Sequence, residues 1–432
     1  MSNYNNAMNR SFKCLFLTII AAICITSFGT YNHYACISTY NLPTTTKPTV
    51  ILSCLLVGNG GTERYTLALQ QELTNIGINA VLVCQEPSFL ATQCEAHKLP
   101  YVTCSHRRLR LGPLLIMSGF KAALLSLAVT YKRSLLAIHC SHRHELLTAK
   151  KLIAADNVPT ILTHHTPSKL ATSVRRAADC IITVNHTDAN SIKTSNKKDG
   201  LDKTVIALPP FFDATRIMTL HPPKQSREQY FQETFNIKLL PCPLLVKIAH
   251  FYGNEPHKNH PLLFQAMHDL IYRQNMPVQV ALVGSGKHRQ KYEQLVHKLK
   301  LSDYVHFLGS TEKVATVLHY ADINLLSSSQ EAFGITLLEG GLLSKPTIVA
   351  SAGCGAADWL IIDQETGFLF ENNNATDLAR TITHALTHKK VAQICGKNLY
   401  KKVVGEFLPH HTAQTILALY VQLHAEIHSR NT

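Results

Sequence analysis

None of the twelve cysteines stands in a C-x-x-C pair. Zinc-ribbon and thioredoxin-type redox readings therefore fail. Charge is sparse, at 16% of residues, and acid is the scarcer sign: 42 Lys and Arg oppose 28 Asp and Glu, so 42 − 28 = +14. Tryptophan occurs once. No aromatic ladder accompanies the basic residues, so nucleic acid is not an expected partner. G-x-x-x-x-G-K-[ST] is missing, which excludes a Walker loop. Only one long apolar stretch is present and mean hydropathy is +0.02, which excludes a multi-span membrane protein. What remains is a chain of 432 residues, 46% apolar, with ample material for two or three cores. Cys54 and Cys84 fall in apolar runs and read as small buried hydrophobes of a reducing compartment.

The positive charge is concentrated. Residues 101–155 hold nine Lys and Arg against Glu145 alone, which places +8 of the +14 there. Such a face suits an anionic partner or is a solvated surface. Within it, RRLRLGPLLIMSGFKAALLSLAVTYKR (107–133) reads either as a first-domain core helix or as a helix docked on anionic lipid. The histidines of HCSHRHE (139–145) lack metal-site spacing and read as strand-end or surface residues. At the amino terminus, Arg10 and Lys13 precede the apolar run 14–29, expected to be an uncleaved membrane anchor. A polar linker is expected over 38–49.

From residue 50 the pattern is strand, loop, helix, strand. VILSCLLV (50–57) runs into the glycine-rich GNGGTERY (58–65), then a helical pattern closed by Gly77, then NAVLVC (79–84). LLAIHC (135–140), TILTHH (160–165), CIITV (180–184) and TVIAL (204–208) continue the series. A second begins at LLVKIAHF (244–251) and proceeds through QVALVGSG (279–286), VHFLG (305–309), INLLSSS (323–329) and TIVAS (347–351). The expected fold is α/β, with two doubly wound Rossmann-like domains facing across a cleft. The expected boundaries are anchor and linker 1–49, first domain 50–214, interdomain linker 215–242, second domain 243–400 and terminal helix 401–432. Ile416, Leu419, Tyr420, Leu423 and Ile427 share one face of that last helix, which should pack back on the body.

The stretch SSSQEAFGITLLEGG (327–341) holds the most chemistry. Glu331 follows a strand end, Phe333-Gly334 opens a helix, and Glu339 lies one or two turns inside it. Free N–H groups at a helix start suit a diphosphate. A carboxylate just before that start can face a sugar, and one eight residues on can chelate a ribose diol. Two glutamates at this spacing are, by themselves, common. The loop Gly58, Gly60, Gly61 is equally compatible with a tight turn and with anion contact.

SSSQEAFGITLLEGGLLSKPTIVAS, D-Q-E-T-G (363–367), GNGGTERYTLALQQELTNIG, PTILTHH, AADCIITV, HKNH, LVGSG and VHFLG occur in one order over about residues 50–400. In that order they resemble the retaining GT-B glycosyltransferases of family four. The resemblance implies sugar transfer from a nucleoside-diphosphate donor, with retention at the anomeric carbon, to a glycan or lipid-linked acceptor. It implies that Glu331 contacts the donor sugar and Glu339 the ribose. Phe333, Gly334, Ile335 and Thr336 would meet sugar and phosphate. Lys258 would neutralise the diphosphate, with His250 and Gly284 beside it. His165 would lie near the donor sugar, and Gly60 and Gly61 on the acceptor side. The twelve Asp residues never stand two apart, unlike the metal-dependent GT-A enzymes, so no metal or other cofactor is expected.

Two departures bear on activity. His250, eight residues before Lys258, stands where the family often has arginine, and a neutral imidazole supplies less charge to a departing diphosphate. Lys287 or Arg289 would have to compensate. Asp358 replaces the glutamate of a further family motif. A weak or inactive sugar-binding protein, or a sugar-nucleotide 2-epimerase, are the alternatives. From nucleotide sugars and free thiols the catalytic domains are expected in the cytosol, associated with the membrane through the amino-terminal segment, although the few flanking charges point the other way.

Overall fold

The computed structural model describes residues 36–40, 42–43, 46–58, 60–105, 112–153, 157–165, 169–221, 223–252 and 257–429. The anchor expected over 14–29 and the arginines at 107–110 lie outside them. Among the described residues no helix is long and apolar enough to cross a membrane.

Strands form where β-branched and aliphatic residues run together. The first sheet comprises β1 (Cys36–Tyr40), β2 (Thr49–Cys54), β3 (Asn79–Glu86), β4 (Tyr101–Ser105), β5 (Leu135–Cys140), β6 (Thr160–His164), β7 (Cys180–Thr183) and β8 (Thr204–Ala207). Their order is β1-β4-β3-β2-β5-β6-β7-β8. β2 pairs in parallel with β3 and β5, and β1 alone is shown antiparallel, against β4. β1 begins before residue 50 and reaches into the stretch read as linker. Neither β1 nor β4 was expected, because CISTY and YVTCS are short and mix polar with apolar residues. VILSCLLV in turn ends as strand at Cys54, leaving Leu56 and Val57 exposed.

The second sheet comprises β9 (Leu244–Ile248), β10 (Gln279–Val283), β11 (Val305–Gly309), β12 (Ile323–Leu326), β13 (Thr347–Ala350) and β14 (Phe368–Phe370). All its pairings are parallel, in the order β11-β10-β9-β12-β13-β14. The order reverses at β9, between β10 and β12. A doubly wound sheet binds ligands at such a reversal, beyond the carboxyl ends of its strands. The core around this sheet is aliphatic and aromatic, including Leu245, Phe264, Met267, Val280, Leu282, Leu325, Ile348 and Phe368, none more than 1% exposed.

The chain divides into two compact units, residues 1–163, 171–181 and 416–432, and residues 164–170 and 182–415. In the first, the basic helix Gly112–Thr130 buries Phe120, Ala123, Leu124 and Leu127, so over these residues it is a core helix. The terminal helix Pro409–Ser429 buries Ile416, Tyr420 and Leu423 and half-buries Ile427. Tyr420 Oη lies 2.5 Å from His139 Nδ1, whose Nε2 lies 2.5 Å from Thr163 Oγ1. His139 is thus a structural tie in a buried network. All nine cysteines whose side chains are described are free and buried.

Candidate donor site at the reversal of the second sheet

β9 and β12 end side by side, and the segments that leave them bring the charged residues together. β12 ends at Leu326, and Ser327, Ser328 and Ser329 follow, all buried. Glu331 comes next, its backbone fixed by Glu331 N–H to Gly353 O at 2.7 Å and Gly355 N–H to Glu331 O at 3.1 Å. Its carboxylate faces Lys258, whose ammonium donates to Oε1. Ser328 Oγ donates to the same oxygen at 2.9 Å. Both charged side chains are largely screened, at 21% exposure for Lys258 and 14% for Glu331.

The helix Ile335–Leu342 starts immediately after. Its N-cap, Gly334, has φ +96°, and a Cβ there would stand 2.7 Å from Leu326 Cδ2. Only glycine makes this turn at little cost, and the turn leaves the first N–H groups of the helix, those of Ile335 and Thr336 included, at the β12 end. Thr336 Oγ1 is buried without a hydrogen-bond partner. Phe333 is buried against Trp359, at 6.1 Å between ring centroids, and Phe407, at 6.4 Å. Its role is packing under the loop, through its ring, while its carbonyl accepts from Ala356 N–H at 3.2 Å. Glu339 sits in the second turn, and Arg216 Nη2 lies 3.7 Å from its Oε1.

His250 follows β9, and partial burial of its ring, then the charge of Lys258, lowers its pKa. Its Nδ1 accepts the Tyr252 N–H at 3.2 Å, so this nitrogen carries no proton. Gly284, at the end of β10, packs directly on the same strand end. With φ +149°, a Cβ there would stand 2.1 Å from Ala249 O and 3.3 Å from His250 Cα. The structure thus gathers Glu331, Lys258, His250, Gly284 and the Gly334 helix start at one strand-end cluster. The proposed stand-ins for the missing arginine do not join it by any described contact. Arg289 donates to Glu293 Oε1 at 2.7 Å and lies over the Phe307 ring, and Lys287 is exposed.

Three further expected site residues have the following surroundings. His165 follows β6. Its Nε2 is shut off from solvent, and burial and then the charge of His164 push its pKa down to about 3. Gly60 and Gly61 belong to the first unit, where Gly60 is the N-cap of the helix Gly61–Asn75. A Cβ on Gly58 or Gly60 would meet the Glu63 carboxylate at 2.8 or 3.1 Å, so Glu63 folds back over this loop. Among the described residues no cluster of His, Cys, Asp or Glu could hold a metal ion.

Three contributors escaped the sequence reading. Lys247, in the middle of β9, is fully buried and donates to Lys258 O at 2.7 Å and Ser327 Oγ at 2.6 Å. Its signal was present, since a lysine inside an otherwise apolar strand is an anomaly. Ser328 was part of a serine run without individual meaning. Asn185, at the end of β7, donates to Ala332 O at 2.8 Å and so holds the residue after Glu331. No local pattern marks it.

Residues 246–402 match the family model described as Glycosyl transferases group 1, a segment that includes Lys247, Lys258, Glu331 and Glu339. The chain is 30% identical over 145 residues to "Uncharacterized glycosyltransferase MJ1178" of Methanocaldococcus jannaschii, covering 33% of this chain and 39% of that protein. It therefore spans about two fifths of that relative's length. A glycosyltransferase structure from Rickettsia africae superimposes with a TM-score of 0.72 at 18% identity, covering 88% of this chain and 99% of that one. Anabaena HepE in complex with UDP gives 0.67 at 18% identity, covering 86% and 99%. The fold is accordingly that of the GT-B glycosyltransferases: two Rossmann-like α/β domains and a carboxy-terminal helix.

Proposed function

We propose that the chain is a retaining glycosyltransferase that moves a sugar from a nucleoside-diphosphate donor to a glycan or lipid-linked acceptor. One observation carries the reading. Lys258 and Glu331 meet at the carboxyl ends of β9 and β12, where the second sheet reverses, one turn from an open helix start. A pyrophosphate placed there meets the Lys258 ammonium and the N–H groups after Gly334. These groups stabilise the charge that develops as the diphosphate departs. Glu331 then faces the sugar, and Glu339 the ribose. UDP in the HepE structure is consistent with a uridine nucleotide as donor base. In this reading no metal takes part, because Lys258 and the helix start supply the positive charge. His165 stays neutral at ordinary pH and serves as a hydrogen-bonding group near the sugar. The acceptor belongs to the side of Gly60 and Gly61, and attachment to the cytosolic face of a membrane rests on residues 14–29.

His250 favours a second reading. A neutral imidazole in place of a guanidinium leaves the leaving diphosphate less stabilised, as in a sugar-binding protein with little turnover. A donor-panel hydrolysis assay separates these two and the 2-epimerase. Release of free sugar that disappears in Glu331→Ala supports the transferase, an epimerised nucleotide sugar supports the 2-epimerase, and binding without turnover supports the second reading.

A further inference from the structure

Lys247 has a cost that sheet stability does not explain. Its ammonium is wholly buried in β9, and its two acceptors are a carbonyl and a hydroxyl rather than a carboxylate. An apolar side chain of the same length would suit the sheet better, because a buried cation without a hydrogen-bonded carboxylate is poorly compensated. The cost coincides with a knot in the backbone. Lys247 joins Lys258 O to Ser327 Oγ, Ser327 Oγ donates onward to Asn259 O at 3.3 Å, and Ser329 N–H donates to His257 O at 2.9 Å. The segment bearing Lys258 is thereby laced to the segment bearing Glu331. No part of Lys247 reaches solvent, so a ligand cannot touch it.

We propose that Lys247 is a positioning residue that sets the reach of the Lys258 ammonium by clamping the 257–259 segment to the end of β12. This rests on the donor-binding reading of Lys258 and Glu331. Lys287 and Arg289 make no described contact with this cluster, whereas Lys247 lies beneath it and acts through the backbone that presents Lys258.

The test joins two measurements on the full chain. Backbone hydrogen exchange over 257–260 and 327–331 is followed in the unliganded wild type and in Lys247→Met. UDP affinity is then titrated for wild type, Lys247→Met, Lys258→Ala and the double variant. The clamp predicts that Lys247→Met folds, that exchange in both segments rises, and that UDP affinity falls about tenfold, a loss comparable to one charged hydrogen bond. It further predicts that the double variant binds no more weakly than Lys258→Ala alone, since coupled residues do not add. Unchanged exchange overturns the proposal, as do fully additive losses, which are what a merely structural residue gives. Should Lys247→Met fail to fold, Ser327→Ala removes one arm of the same clamp and is judged by the same exchange and coupling. If the wild type binds no UDP, a uridine donor falls, and the exchange result alone decides for or against the clamp.

Discussion

The Lys258 ammonium and the Ser328 hydroxyl both donate to one oxygen of Glu331, Oε1, the second at 2.9 Å. The cation proposed for the diphosphate and the carboxylate proposed for the sugar therefore neutralise each other before a donor arrives. An incoming pyrophosphate competes for the ammonium with a carboxylate already in contact. Lys258→Ala should weaken UDP binding about 10- to 100-fold, the range of a lost charge-assisted hydrogen bond. Isothermal titration checks this, and an unchanged affinity would remove Lys258 from the site.

Gly284 tests whether the close approach of the β10 end to β9 holds the site. A Cβ there would collide with backbone, 2.1 Å from Ala249 O, in a conformation that side chains rarely adopt. Gly284→Ala should cost about 3 kcal/mol through strain and overpacking. Thermal or denaturant unfolding reads it. A cost below about 1 kcal/mol would mean that the strand end yields easily.

Lys247 gives the fold a distinct pH response. Burial, and next the charge of Lys258, push its pKa down to about 7 from 10.5, with Glu331 opposing; His260, beside it, has its own pKa lowered, mainly by burial. In the window from about 7 to 10.5 the unfolded chain holds a proton that the folded chain has released. Stability therefore gains with rising pH across that window, and the gain is absent below it. Lys247→Met should lose this contribution, a difference in slope approaching ~1.4 kcal/mol per pH unit. Denaturant unfolding of both proteins between pH 7 and 10 measures it, and identical slopes would refute it.

The lone tryptophan offers a direct signal. Trp359 packs on His186 at 4.2 Å, Phe407 at 5.4 Å and Phe333 at 6.1 Å, so it touches the residue that opens the donor helix. UDP should change its fluorescence with the same midpoint as calorimetric binding, and in Lys258→Ala that midpoint should rise by the same factor as the calorimetric one. An unchanged midpoint in that variant would place binding elsewhere.

Much of this was legible in the sequence, and the reasons differ by residue. TIVAS forms β13 over Thr347–Ala350, one residue short of the expected end and buried throughout, because a buried parallel strand is written as a largely apolar run. Gly334 could be placed because a helix that must open sharply after a strand demands an unusual backbone angle. β1 and β4 were not legible, since short strands of mixed polarity owe their existence to neighbours rather than to their own pattern. Lys247 was visible as a letter, but its meaning depends on β9 and β12 lying side by side, which pairs residues 80 apart in the chain. Asn185 is more distant still, meeting Ala332 across 147 residues. The sequence names side chains; what they hold is decided by the sheet order.

Donor turnover by wild type and Glu331→Ala, measured as free sugar released from a panel of nucleotide sugars, tests the central reading most directly. The account predicts release from at least one donor by the wild type and none by a folded Glu331→Ala variant. Equal release by the two proteins would contradict it.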